Sequence, residues 1–246
     1  MIQKASEVSL KVRGESLSVL EIENGINNTL TVEGLEEMFG LLSDLSNEDD
    51  PRVVLIRGKG ERSFCMGYSS SCNEERENST IKEARNLALS IARLIRGSRH
   101  YFISAVNGYA LDFGLEIIIS SDLKIASSSA KIGMPGLKYG MPPFTGILTD
   151  TTIDISGEAY SAIKSGGIIG ADEAYALSLV DNIIDSKNFS RDALNYCSSL
   201  NPDYLANFKS TKHADIMKID ADRLFFQVYR VSCKSIMDLE RFRNSL

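Results

Sequence analysis

The sequence contains no tryptophan, two histidines, five prolines and four cysteines among 246 residues. Each scarcity narrows the chemistry. A His-dependent triad has only His100 and His213 to draw on, and neither sits in a recognisable setting. Cys65, Cys72, Cys197 and Cys233 show no CxxC spacing and no neighbouring His pair. Neither a zinc site nor a redox dithiol is signalled, no metal is expected, and the four read as free thiols. No apolar run approaches the roughly 20 residues of a membrane-spanning helix, so no membrane partner is expected. The opening MIQKASEVSLKVRGES lacks the apolar stretch of a secretory signal, which makes the cytoplasm the expected compartment. Neither GxxxxGK[ST] nor GxGxxG occurs, and the GKGE at 58–61 reads as a strand-ending turn rather than a phosphate loop. Positive charge is also in deficit, with 27 Lys plus Arg against 33 Asp plus Glu and a net charge of −6, the reverse of what a nucleic-acid partner selects.

What is present reads as an ordinary folded domain, since 43% hydrophobic and 24% charged residues allow a sizeable core. Short apolar runs end in Gly or a polar turn and are followed by helical patterns: VVLIRG at 53–58, FISAVNG at 102–108 and LVDNII at 179–184. Strands alternating with helices predict an α/β chain. Leu35, Met38, Phe39, Leu42 and Leu45 form one helical face behind a candidate Thr31 cap, although Gly34 and Gly40 weaken it. Ala84, Leu87, Ala88, Ile91, Leu94 and Ile95 form a second stripe, with Thr80 and Glu83 spaced as a capping box. Between these helices, KGERSFCMGYSSSCNEERENS combines Gly67 with a serine cluster and a charge run, and reads as a loop. The NEERE run within it reads as a solvated face.

From about Ser190 the pattern becomes wholly helical, and Pro202 separates two segments. Phe225, Phe226 and Tyr229 on the late helical stretch are expected to pack on the core or on another subunit. The organisation expected is a core over 1–189 and a helical region over 190–246.

The segment from Ala105 to Gly146 carries the chemistry. A strand runs into a turn bearing Gly108 and Gly114, and an apolar helix starts close to Leu115. The backbone N–H groups of such a start suit a developing oxyanion, with Phe113 and Gly114 as candidates. Glu116 in the first turn stands beside Ile117, Ile118 and Ile119, where desolvation raises a carboxyl pKa and equips it for proton transfer. A first-turn glutamate that merely complements the helix dipole is the structural alternative.

NGYALDFGLEIIISSDLKIASSSAKIGMPG resembles the crotonase (enoyl-CoA hydratase/isomerase) superfamily in its strand, glycine turn, helix and Ser-Asp pair. The INNTL, VVLIRGKGERSFCMG and GADEAYALSLVDNII segments are similar to other parts of that family's pattern, in the same order. The resemblance implies a spiral of repeated ββα units, with a C-terminal helical region that makes a homotrimer or a dimer of trimers. It implies an acyl-CoA or enoyl-CoA thioester as ligand, with coenzyme A part of the substrate and no separate cofactor. By position, it places the two oxyanion donors on the N–H groups of Met66 and Phe113 and the acid/base role on Glu116. It places the adenine and pantetheine end of the ligand along Gly67, Tyr68, Ser69 and Ser70, with further substrate contacts around Asp112, Gly114, Gly136 and Tyr139.

The second catalytic glutamate of the family falls on Gly136, which cannot carry a proton. Asp112, Tyr139, Tyr68 and Cys65 are nearby replacements, with bland readings as turn residue, pocket walls and core filler. Pro143 and Phe144 stand where smaller residues are usual and are expected to narrow the acyl pocket towards short or branched groups. Two functions stay open: an acyl-CoA enzyme that stabilises a thioester enolate with Glu116 as acid/base, and a repurposed acyl-CoA binder without turnover.

Overall fold

The computed structural model describes residues 6–69, 77–146, 155–212 and 233–246. Cys72, His213, Phe225, Phe226, Tyr229 and Ser70 lie outside the described residues, as does most of the NEERE run. The elements follow the order β1 (Val8–Arg13), β2 (Leu17–Ile22), α1 (Val32–Ser46), β3 (Val53–Gly58), β4 (Ser63–Cys65), α2 (Glu77–Gly97), β5 (Tyr101–Val106), β6 (Tyr109–Leu111) and α3 (Phe113–Ser120). There follow β7 (Leu123–Ser127), β8 (Lys131–Gly133), a 3₁₀ turn at Pro135–Tyr139, α4 (Gly157–Lys164), β9 (Ile168–Gly170), α5 (Ala171–Ala176) and β10 (Asn182–Ile184). The helices α6 (Phe189–Ser198), α7 (Pro202–Lys212) and α8 (Cys233–Ser245) complete the described chain.

Two sheets result. The larger has the order β1-β2-β3-β5-β7-β10, the smaller β4-β6-β8-β9, and the ladders are parallel except β1 with β2 and β8 with β9. Each of β3, β5 and β7 leaves the large sheet and contributes a three-residue strand to the small one before the chain turns into a helix or the 3₁₀ turn. This is the expected succession of ββα units.

The corners between the sheets explain the glycines that end the apolar runs. A Cβ on Gly58 would lie 2.1 Å from the Ser63 carbonyl oxygen, and one on Gly108 would lie 2.1 Å from that of Arg62. Backbone approaches this close admit only glycine. Two buried asparagines fasten the same corner. Asn107 Nδ2 donates to the carbonyls of Gly60 (2.7 Å) and Ser63 (3.1 Å), and Asn28 Nδ2 donates to those of Lys59 (3.0 Å) and Ser63 (2.8 Å).

The VVLI of β3 is apolar throughout because both faces of its sheet are covered. Val54 and Ile56 belong to the main core with α1, α2 and α3, whereas Val53 and Leu55 pack with Phe189, Ala193 and Cys197 of α6. Thr31 caps α1 by accepting from the Gly34 N–H at 3.3 Å. The Thr80 and Glu83 pair is not a cap, because α2 already includes Glu77 and both residues lie inside it. Periodicity located this helix correctly, but its end depends on residues that carry no apolar stripe.

The helix α7 docks through Lys209, whose buried Nζ donates to the carbonyls of Ile95 (2.7 Å) and His100 (2.9 Å) and pairs with Asp122 at 2.8 Å. His100 is fully buried, its Nε2 is 2.7 Å from the Leu45 carbonyl, and its Nδ1 accepts from the Arg52 N–H at 3.0 Å. Both ring nitrogens are thus committed to the fold. Among the described residues no helix is long and apolar enough to cross a membrane.

Candidate functional site

The site forms where β4, the turn before α3 and the segment after the 3₁₀ turn converge on α8. Asp112 is the hinge of this arrangement. It adopts φ +51°, an uncommon conformation for a residue with a side chain, and so turns β6 sharply into α3. The sharp turn brings α3 hard against β4. A Cβ on Gly114 would lie 2.0 Å from the Cys65 carbonyl oxygen, so the helix start touches the neighbouring strand backbone to backbone. Gly114→Ala is therefore expected to displace the helix start, lowering both thermal stability and any activity of the site. Paired melting curves and acyl-CoA assays on that variant check this.

Every residue of α3 is buried, Glu116 included at 1% exposure. Its carboxylate accepts from the Phe144 N–H at 2.9 Å, from the Thr145 N–H at 2.6 Å and from the Thr145 hydroxyl. Burial pushes its pKa up to about 7, against the pull of these hydrogen bonds, and the nearby Asp112 carboxylate adds to the rise. The result is a carboxyl group that titrates near neutrality within an apolar helix.

Asp112 holds a second carboxylate in the same cleft. Its Oδ1 accepts from the Gly136 N–H at 2.8 Å, and its Oδ2 pairs with Arg243 Nη2 at 2.9 Å. Burial raises its pKa too, opposed by the Arg243 guanidinium. Arg243 comes from α8, is 2% exposed, and also donates from Nη1 to the Tyr68 carbonyl at 2.6 Å. Gly67, at φ +93°, makes room for it: a Cβ there would stand 2.6 Å from Arg243 Nη2.

The cleft around these groups is lined by Tyr68, Phe113, Met134, Met141, Pro143 and Phe144 together with the two carboxylates. It is narrow, with room for about one water molecule. The Phe144 ring lies 5.5 Å from that of Tyr68, in keeping with the expectation that the PPFTG segment constricts the site.

Several expected site residues do other work. The Met66 N–H donates to the Asn27 carbonyl at 3.1 Å, its side chain is fully buried, and the residue does not line the cleft. That expectation is corrected: Met66 sits on the strand side of the turn, where its N–H joins the INNTL loop to β4. The neighbouring N–H groups are also engaged, Gly67 with the Cys65 sulfur at 3.4 Å and Ser69 with the Leu30 carbonyl at 2.9 Å. Among the described residues of this stretch, Tyr68 is the one that lines the cleft. Ser69 Oγ donates to Glu240 at 2.7 Å, and the Tyr139 ring packs on Phe242 at 5.9 Å, so both serve to hold α8. Gly136 contributes its N–H to Asp112 rather than a surface to the cleft. Cys65 is fully buried, and burial pushes its thiol up to about 12, the behaviour of a core residue. Cys197 is likewise buried and unbridged.

Phe113 is the first residue of α3, and its N–H donates to no described protein group. Such an N–H at a helix start is a ready donor for negative charge. Arg243 and the Phe144 and Thr145 N–H groups were not expected from sequence. The ERFRNS stretch looks like a solvated helix end, and backbone donors carry no side-chain signature.

The family model for enoyl-CoA hydratase/isomerase matches residues 13–229. The short-chain-enoyl-CoA hydratase of Clostridium acetobutylicum is 33% identical over 162 residues, 64% of this chain and 61% of that protein. The crotonyl-CoA hydratase of Syntrophomonas wolfei is 29% identical over 172 residues, 69% of this chain and 66% of its own length. The matches thus span about three fifths to two thirds of these relatives. The enoyl-CoA hydratase structure from Bacillus anthracis superposes with a TM-score of 0.73 at 22% identity, covering 98% of this chain and 90% of that one. The matched segment includes both cleft carboxylates and the whole succession of ββα units, and so the chain belongs to the enoyl-CoA hydratase/isomerase family, in the crotonase superfamily.

Proposed function

We propose that the protein acts on an acyl-CoA or enoyl-CoA thioester, holding the thioester oxygen on backbone N–H groups and moving a proton at the adjacent carbon with Glu116. One observation carries this reading: a buried carboxyl titrating near neutrality stands one helical turn from the Phe113 N–H, in the same narrow cleft. Donors fixed before reaction stabilise charge as it develops on an enolate oxygen, and a carboxyl with pKa near the working pH serves as both acid and base. The second donor of this reading is the Tyr68 N–H in place of Met66, because Tyr68 lines the same cleft as Phe113 and Met66 does not. The two relatives described above are named for hydration of short enoyl-CoA esters, and the constriction at Phe144 and Tyr68 favours a short acyl group here as well. Coenzyme A enters as part of the substrate. Self-association through the C-terminal helices belongs to the same proposal, supported by exposed Tyr204, Phe208 and Met237 on α7 and α8.

The test is NMR in deuterated water with purified protein and either butyryl-CoA or crotonyl-CoA. Deuterium entering the α-carbon of butyryl-CoA, or hydration of crotonyl-CoA, is the expected result. Saturable binding of these esters with neither exchange nor hydration would replace this reading with that of a non-catalytic acyl-CoA binder.

A further inference from the structure

Adding water across an enoyl double bond needs one group to take a proton from water and another to deliver one to the α-carbon. Gly136, where the family resemblance places a second carboxylate, has no side chain. The space that a side chain would enter there is nonetheless filled, because a Cβ on Gly136 would lie 2.7 Å from Asp112 Oδ1 and 3.1 Å from Asp112 Cγ. A carboxylate oxygen of Asp112 therefore occupies the space that a side chain at position 136 would enter first.

Resting on the acyl-CoA reading above, we propose that Asp112 is a catalytic residue, the second proton-transfer group of the site, working with Glu116 in hydration of a short enoyl-CoA. Three observations support the assignment. Asp112 lines the same cleft as Glu116 and retains 15% side-chain exposure, whereas its partner Arg243 is almost wholly buried. The Gly136 N–H and the Arg243 guanidinium hold one carboxylate oxygen each, a two-point grip that fixes its orientation. The chain also adopts the uncommon φ of +51° with an aspartate where glycine would sit without strain, and that backbone turn aims the carboxylate at the Gly136 N–H and Arg243.

The roles follow from the surroundings. Asp112, beside the Arg243 cation, is the group that accepts a proton, and Glu116, with no cation of the described residues against its carboxylate, is the group that gives one. As the water oxygen bonds to the β-carbon, its proton passes to Asp112. The double-bond pair moves towards the thioester, forming the enolate on the backbone donors. The enolate α-carbon then takes the proton of Glu116. One water is consumed, Asp112 gains the proton that Glu116 loses, and exchange with solvent restores both.

The experiment measures crotonyl-CoA hydration, α-proton exchange of butyryl-CoA and ester binding for the wild type, Asp112→Asn, Asp112→Gly and the double variant Asp112→Gly/Gly136→Glu. Both single variants leave the buried Arg243 guanidinium without its carboxylate, and glycine at 112 relieves the backbone but not that cost, so each variant is melted first and its hydration is measured below the onset of unfolding. Both single variants are expected to lose hydration by about 100-fold or more while binding and Glu116-dependent exchange persist. The double variant, which returns a carboxylate from position 136 into the vacated space, is expected to regain at least part of that loss.

Hydration at wild-type rates in both single variants would overturn the proposal. Simultaneous loss of exchange, binding and hydration would overturn it too, in favour of a structural role. A wild-type protein that exchanges α-protons yet never hydrates would refute the role of Asp112 and leave the enolate reading standing. Absence of binding and exchange in the wild type would instead refute the acyl-CoA reading itself.

Discussion

Glu116→Gln is expected to reduce α-proton exchange and hydration by about 10²–10⁴-fold, the usual contribution of a positioned acid/base group. The amide keeps the size of the carboxyl but cannot carry a proton, so ester binding should change little while turnover collapses. The pH profile supplies an independent check. With the Glu116 pKa near 7, hydration that requires its protonated form should fall as pH rises through about 7, and the reverse dehydration should rise over the same range. Rate profiles in both directions with one substrate test the pair of signs.

The same carboxyl leaves a thermodynamic trace. Its folded-state pKa of about 7 lies above the ordinary 4.5, so between these values the folded protein binds more protons than the unfolded chain. Stability from this group is fully present below pH 4.5 and is lost as pH rises through 7, amounting to about 3 kcal/mol in total. Glu116→Gln removes this dependence. Denaturant midpoints from pH 5 to pH 8 should therefore slope downward more steeply for the wild type than for the variant. Equal slopes would mean that Glu116 is already ionised in the folded state near pH 5.

Arg243→Leu is expected to produce the largest loss of stability. The guanidinium is 2% exposed and joins α8 to two points of the cleft, the Asp112 carboxylate and the Tyr68 carbonyl. Removing one partner of a buried ion pair leaves the other charge without compensation, which costs about 3–5 kcal/mol. For a chain of this size that corresponds to a fall in Tm of roughly 10 °C. Asp112→Asn added to Arg243→Leu removes the stranded charge and should recover part of the loss, whereas two independent defects would add. Thermal melts of the two single variants and the double variant form the cycle. Additive losses would show that Arg243 stabilises α8 by packing alone.

Much of the architecture was legible in the chain, because apolar periodicity and glycine spacing are local properties. The VVLIRG and FISAV runs became β3 and β5, Thr31 caps α1, and Gly108 and Gly114 mark close backbone approaches. Only the end of LVDNII is a strand, and α2 extends past its apparent cap, since element ends depend on contacts that the apolar stripe does not encode. Glu116 was identifiable as a carboxylate in an apolar helix start, and the bulk of Phe144 announced a constricted cleft.

The state of each site group was decided only by the tertiary structure. Glu116 titrates near neutrality because the fold buries it and brings the Phe144 and Thr145 donors to it from 28 and 29 residues away. Asp112 reads in sequence as a turn residue, and becomes a held carboxylate through an arginine 131 residues distant. Met66 is removed from the cleft by a bond to the INNTL loop, which no pattern around Met66 could announce. Residue type and spacing determine which groups a chain can offer and on which element. Desolvation and hydrogen-bond partnership arise from segments far apart in sequence, and these determine which groups are able to act.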